Sequence, residues 1–244
     1  MRIESTANER IKAVRRLHRG RDRKRTGLTL VEGPIVVASA LAAGLVPTEV
    51  YTVAGGPLVE QCEAAGSQVV EVSPKVFDVV STTVEPQDPI GIIVVPSLPE
   101  LEVRQTLVAV QIGDPGNLGA LIRTAAALAW QVAVIGGADP WSPKVLRASA
   151  GAQLTHPAVC VPGLEALVEV GLAPVATTVS GGVAPGELEA LGPIALVVGN
   201  EAHGLAREVV ERCGSVVTIP MPGGFESLNA AIAGAIAMYA LGGR

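Results

Sequence analysis

The sequence predicts an α/β protein of two domains, a small N-terminal α/β domain and a larger carboxyl-terminal one built on a mostly parallel sheet. Three observations lead there. Short apolar runs recur along the 244 residues, separated by helix-like stretches that end in Gly or begin at Pro. From Thr106 onward these runs alternate with Ala-rich helices, the pattern of parallel strands covered on both faces. Between the halves, Pro96 and Pro99 flank Ser97 and Leu98, a stretch suited to a linker. The expected boundaries are 1–96 for the first domain, 97–105 for the linker and 106–244 for the second domain.

The chain opens on a basic segment. Ten of the 18 Lys and Arg residues precede Thr26, although the net charge is −5. Phosphate affinity follows local charge density more than the sum over the chain. A charge run alone reads as a solvated face or a frayed tail. Here Ile11, Val14 and Leu17 form one helical stripe, so the basic residues are expected to decorate a docked helix. Pro34 to Ala43 then reads as a helix closed by Gly44, Val50–Val53 as a strand, and Leu58–Ala65 as a helix closed by Gly66. Val69–Val72 is a second strand, Pro74 to Val80 a helix capped by Ser73, and Ile90–Val95 the last strand of this half. In the second half the strands are Leu107–Ile112, Val132–Ile135, Val175–Val179, Ile194–Val198 and Val216–Ile219.

Composition narrows the function. A chain that is 49% hydrophobic and 17% charged can bury a core, while 2% aromatics argue against an aromatic base-stacking platform. Three dispersed cysteines, Cys62, Cys160 and Cys213, form no CxxC pair, which argues against a zinc site or a disulfide framework and for a reducing cytoplasm. The start carries no apolar signal core, and no apolar run reaches membrane-spanning length uninterrupted. The expectation is a soluble cytoplasmic protein with no membrane and no metal partner.

Three polar turns end apolar runs, where an open α/β sheet binds its ligands. In DPGNLGALIRTA (Asp114–Ala125) a turn leads into a helix from about Asn117, with Arg123 six residues on. The helix start offers free N–H groups to an anion; Arg123 reads equally as a surface residue. In VVGNEAHGL (Val197–Leu205), Gly199 and Gly204 permit turns while Asn200 and Glu201 supply polar groups or simply cap a helix. His203 reads as a solvated loop residue without a catalytic role. In IPMPGGFESLNAAIAGAIAMY (Ile219–Tyr239), Pro220 and Pro222 stiffen a turn, Ser227 and Asn229 start a helix, and Ile232, Ile236 and Met238 suit core or a subunit interface. No Gly-rich dinucleotide fingerprint follows the first strand of this half, which disfavours an ordinary Rossmann cofactor.

In order and spacing these segments resemble the SpoU/TrmH family of RNA ribose 2′-O-methyltransferases, within the SPOUT superfamily. NLGALIRTA is similar to the family's first motif, GNEAHGL to its second and IPMPGGFESLN to its third, and KVLRASAGA (Lys144–Ala152) to the helix between the first two. Ser5–Gly33, with Asn8, Ile11, Lys12, Arg23 and Glu32-Gly33, is similar to the N-terminal substrate domain of the ribosomal-RNA branch. Trp130 and Phe225 depart from the family pattern, outside the polar set.

The resemblance implies a ribosomal-protein-like RNA-binding domain followed by a catalytic domain with a carboxyl-terminal trefoil knot, an exception to unthreaded chain connections. It implies S-adenosylmethionine as cofactor and a homodimer formed through the catalytic domain. The cofactor site carries over to Thr177, Gly199, Ile219 and Leu228, with Asn200, Glu201 and Met221 nearby. The catalytic set carries over to Arg123 with Asn117, Glu201, Ser227 and Asn229, and the RNA contacts are assigned to Arg15, Arg16, Arg19, Arg21, Arg23, Lys24 and Arg25. The family mechanism makes the arginine a general base, but guanidinium is effectively always protonated and a phosphate beside it favours the charge further. A phosphate clamp is the second role for Arg123. The expected function is ribose 2′-hydroxyl methylation of RNA, ribosomal RNA ahead of transfer RNA. A non-catalytic RNA-binding or ribosome-assembly module, and a small-molecule enzyme binding a nucleotide at the sheet edge, are the alternatives.

Overall fold

The computed structural model describes residues 2–97, 99–189 and 192–242, which form two compact units. Leu98, within the expected linker, lies outside the described residues.

The first unit starts with α1 (Glu9–Arg16), where the Asn8 side chain accepts from Arg10 N at 2.9 Å and caps the first turn. Next is α2 (Gly20–Thr26), closed by Gly27 in the left-handed conformation. Then follow β1 (Leu28–Glu32), α3 (Pro34–Ala42), β2 (Glu49–Thr52), α4 (Pro57–Ala64), β3 (Gln68–Glu71), α5 (Pro74–Val80) and β4 (Ile90–Val94). Ser73 caps α5 as expected, its hydroxyl accepting from Val76 N.

The strands form one mixed sheet in the order β1-β4-β2-β3, with β2 and β3 parallel and the other pairs antiparallel. Alternation along each strand loads both faces. Leu30, Tyr51, Val70 and Ile92 face a cluster with Ile11, Val14 and Leu17 of the α1 segment and with Phe77 and Val80 of α5. Val31, Val50 and Ile93 face Val36, Val37 and Ala40 of α3 and Val59 and Cys62 of α4. The apolar stripe of the basic helix is therefore core, and its charges point outward.

The second cluster is completed from far along the chain. The first unit also contains Asp139–Thr155, which holds α7 (Pro143–Ala148) and α8 (Ala152–Thr155). Trp141, Leu146 and Leu154 join the α3 side of the core, and Thr29 Oγ1 donates to Trp141 O at 2.6 Å. The helix read at Lys144–Ala152 thus packs with the N-terminal half. Two ion pairs fix it. The Arg23 guanidinium donates to Asp139 Oδ2 from Nε (3.1 Å) and Nη2 (2.6 Å), and from Nη1 to the carbonyls of Leu17 and His18. Arg147 pairs with Glu32, whose carboxylate also accepts from Thr82 N and Oγ1. Glu32 is 4% exposed and Arg23 6%. Breaking one partner of such a buried pair strands the other charge. Asp139→Ala should therefore cost about 3 kcal/mol, read as a lower denaturant midpoint. A midpoint equal to the parent's would mean that the carbonyls alone satisfy Arg23.

The second unit carries β5 (Thr106–Val110), α6 (Pro115–Ala127), β6 (Gln131–Ile135), β7 (Val159–Cys160), α9 (Glu165–Glu169), β8 (Ala173–Thr178), β9 (Ile194–Val198), α10 (Arg207–Glu211), β10 (Ser215–Thr218) and α11 (Ala230–Gly242). Its six strands pair in the order β10-β8-β9-β5-β6-β7, all parallel. Val108, Val110, Ala195 and Val197 face Leu164, Leu167 and Leu172 on the α9 side. The opposite face is covered by α6 and α11, which pack on each other and, through α11, on β9. A Cβ on Gly234 of α11 would lie 2.5 Å from Leu121 Cδ2, so glycine lets that helix settle close to α6. A parallel sheet brings the carboxyl ends of β10, β8, β9 and β5 to one edge, and the three polar turns follow three of those ends.

Candidate active site

The turn after β5 is anchored at the start of α6. Asp114 caps the helix, Oδ1 accepting from Asn117 N at 3.0 Å. Gln111, just before, adopts a left-handed backbone (φ 52°), and its carbonyl accepts from Asn200 Nδ2 at 2.9 Å. Asn200 thus ties the β9 turn to the β5 turn, while its Oδ1 accepts from Ala202 N and His203 N and folds its own loop.

Glu201 makes the second tie. Its carboxylate accepts from Gly113 N (3.2 Å), Asp114 N (3.2 Å) and Asn117 Nδ2 (2.9 Å). Asn117 Oδ1 in turn accepts from Asn229 Nδ2 at 3.0 Å, and Asn229 Oδ1 accepts from Ala231 N and Ile232 N at the start of α11. Asn229, Asn117 and Glu201 form a continuous chain that joins all three turns. The tie needs a sharp loop at the end of β9. A Cβ on Gly199 would sit 2.4 Å from Gly204 C and 2.5 Å from Leu205 N, so only glycine lets the loop fold back on itself.

Burial pushes the Glu201 carboxyl up, but the donors together (Asn117, its own backbone, Gly113 and Asp114) hold it below its ordinary value of 4.5. Its contribution is therefore complete above 4.5 and is lost as pH falls through the lower folded value. Thermal stability should stay flat in this term from neutral pH down to about 4.5 and fall below it, and Glu201→Gln should flatten that part of the profile. Parallel acid profiles for parent and variant would refute the anchoring role.

Beside these ties lies a cavity of about 540 Å³. Its walls include Thr177, Gly199, Asn200, Glu201, Ile219, Met221 and Leu228, the seven residues assigned to the cofactor. Ser227 lines it as well, whereas Asn117 and Asn229 reach it through the hydrogen-bond chain. Arg123 does not line it: the side chain stands on the exposed face of α6, and its guanidinium makes no hydrogen bond or ion pair among the described residues. Thr178, His203, Leu205 and Glu226 also line the cavity and carried no role in the sequence reading. Their place beside the three motifs was the signal available. Thr177 Oγ1 is buried without a hydrogen-bond partner among the described residues. A bound polar molecule would supply one. The volume falls in the ~300–1,000 Å³ range of small-molecule sites, and the walls mix apolar side chains with a few polar groups, so a nucleoside-type cofactor fits.

Of the basic residues assigned to RNA, Arg15, Arg16, Arg19, Arg21, Lys24 and Arg25 are exposed. Arg23 is buried against Asp139 and is not part of that exposed set.

The model of the SpoU rRNA methylase family matches residues 104–239, more than half of the chain. The chain belongs to this family. The MRM3-like substrate binding domain matches residues 8–91. Among SpoU relatives, the 23S rRNA (guanosine(2553)-2′-O)-methyltransferase RlmP of Bacillus subtilis is 31% identical over 246 residues, covering 99% of both chains. A solved RNA 2′-O ribose methyltransferase superposes with a TM-score of 0.86 at 33% identity, over 99% of this chain and 98% of its own. An AdoMet-bound rRNA methyltransferase from Sinorhizobium meliloti superposes with a TM-score of 0.88 at 30% identity, over 99% and 97%. Among the described residues of this SpoU chain, no helix is long and apolar enough to cross a membrane.

Proposed function

We propose that this protein methylates a ribose 2′-hydroxyl in ribosomal RNA with S-adenosylmethionine. The observation that carries the reading is the cavity at the sheet edge, walled by the second and third motifs and tied to the first through Glu201 and Asn117. The whole-length similarity to RlmP favours ribosomal over transfer RNA.

Thr177, Gly199, Ile219, Met221 and Leu228 would hold the cofactor, and Asn200 and Glu201 would fix the loop around it. When bound, S-adenosylmethionine supplies a methyl group already activated by its sulfonium. The chain then has to hold the ribose oxygen in line and exclude water. Glu201 is a positioning residue: its carboxylate already accepts four hydrogen bonds, and a carboxyl held below its ordinary value is a poor proton acceptor. Arg123 has no hydrogen-bond or ion-pair partner among the described residues, which suits a clamp for the phosphate next to the target ribose. Ser227 and Asn229 orient the nucleotide or the loop.

A homodimer formed through the catalytic unit belongs to the same reading. Ile232 (52% exposed), Ile236 (42%) and Tyr239 (77%) lie at helical spacing on the outer face of α11, an apolar stripe that a second copy would cover. The reading extends to a knotted carboxyl-terminal segment and to a cytoplasmic location.

The test is methyl transfer from labelled S-adenosylmethionine to ribosomal RNA of cells lacking this gene, followed by mapping of the labelled ribose. Label in one 2′-O position of ribosomal RNA is expected. Label confined to transfer RNA would move the substrate. S-adenosylmethionine binding without transfer to any RNA would leave a non-catalytic module.

A further inference from the structure

The first unit holds a groove of about 230 Å³ that the catalytic reading does not use. It runs between α1, α2 and the β4–β2 part of the sheet. Its floor is apolar, made by Val14, Leu17 and Ile92, all buried, with Leu28 beside them. Its rim carries Arg10, Arg16 and Arg25 against Asp22 and Glu49. Arg10 is held by Glu49 at 2.9 Å, and Arg25 reaches Asp22 at 3.4 Å. The Arg16 guanidinium makes no hydrogen bond or ion pair among the described residues, so its charge is open to a ligand. Thr26 and Thr48 add hydroxyls along the walls.

We propose that this groove takes one unstacked nucleobase of the substrate RNA, with an adjoining phosphate on Arg16 and Arg25. The inference rests on the RNA-substrate reading above and adds a second point of contact to it. Single-stranded bases are gripped by stacking on aromatic rings or on arginine planes. A chain with 2% aromatics has few rings to offer, but here three arginines line the same groove as the apolar floor. The floor takes the face of the base, the threonine hydroxyls and carboxylates take its polar edge, and the rim takes the backbone. Duplex RNA keeps its bases stacked and would meet only the rim.

Ala13 is exposed on α1 and lines the groove, so Ala13→Phe fills the space without changing charge, and Ala13→Ser leaves it open. With ribosomal RNA fragments, Ala13→Phe should weaken binding roughly tenfold, the loss of one stacked base, with the salt dependence unchanged. Ala13→Ser should bind as the parent does, and Arg16→Ala should weaken binding and lower the salt slope by about one. A second measurement needs no variant: adenosine or uridine monophosphate, titrated into the full-length protein, should shift the methyl resonances of Val14, Leu17, Leu28 and Ile92. Parental affinity in Ala13→Phe, or silent methyls with either nucleotide, would overturn the groove as a base site while leaving RNA methylation standing. A parent that binds no RNA would instead remove the substrate reading, and the groove with it.

Discussion

Arg123→Lys should reduce methyl transfer to RNA by at least about 100-fold while S-adenosylmethionine affinity stays within about twofold. The split follows from placement. Arg123 stands on the exposed face of α6, does not line the cofactor cavity and has no protein partner among the described residues, so its replacement disturbs neither packing nor the cavity walls. A guanidinium offers a planar fork that matches two phosphate oxygens, whereas an ammonium offers a point charge. If the fork sets the angle of the ribose oxygen, lysine keeps the attraction and loses the alignment, and the loss falls on the chemical step more than on RNA affinity. Arg123→Ala should lose the attraction too, raising the KM for RNA as well. Methylation by Arg123→Lys at the parental rate would remove bidentate positioning from the mechanism. A proportional fall in cofactor affinity would mean that α6 has shifted.

Much of this architecture was legible from residue patterns because it rests on local signals. The runs at Leu107–Ile112 and Ile194–Val198 announce β5 and β9 by apolar continuity, and Ser73 announces α5 by its cap. β7 has two residues, too few to form a pattern. β1 ends in a buried glutamate, which sequence alone discourages; its burial depends on Arg147, 115 residues away. The same distance problem hid the membership of Asp139–Thr155. Trp141, Leu146 and Leu154 have the spacing of any amphipathic stretch, and nothing local says which sheet they cover. Arg23 looked like its basic neighbours until Asp139 distinguished it. At the site, family resemblance brought the three turns together by name, but the chain from Asn229 through Asn117 to Glu201 belongs to the fold and could not be read from spacing.

Gly199→Ala should lower S-adenosylmethionine affinity by at least about 100-fold, equivalent to about 2.7 kcal/mol. An alanine methyl would stand 2.4 to 2.6 Å from the backbone of Gly204 and Leu205. No side chain can swing away to relieve that overlap, so the loop itself must move. Moving it pulls Asn200 from the Gln111 carbonyl and Glu201 from the N–H groups of Gly113 and Asp114, and it opens the cavity wall. The overlap is confined to the β9 turn, so the fall in global stability should stay within the ~1–3 kcal/mol of an overpacked site, and the N-terminal unit should keep its structure. Gly204→Ala separates close approach from backbone strain. Gly204 has φ 64°, yet a Cβ there meets nothing within 4 Å. Only the left-handed backbone would resist alanine at that position, at a cost of roughly 1–2 kcal/mol. Cofactor binding should therefore fall much less in Gly204→Ala than in Gly199→Ala. The reverse order, or parental affinity in Gly199→Ala, would mean that the turn after β9 does not shape the cofactor wall, and the cavity would lose its claim to be the methyl-donor site.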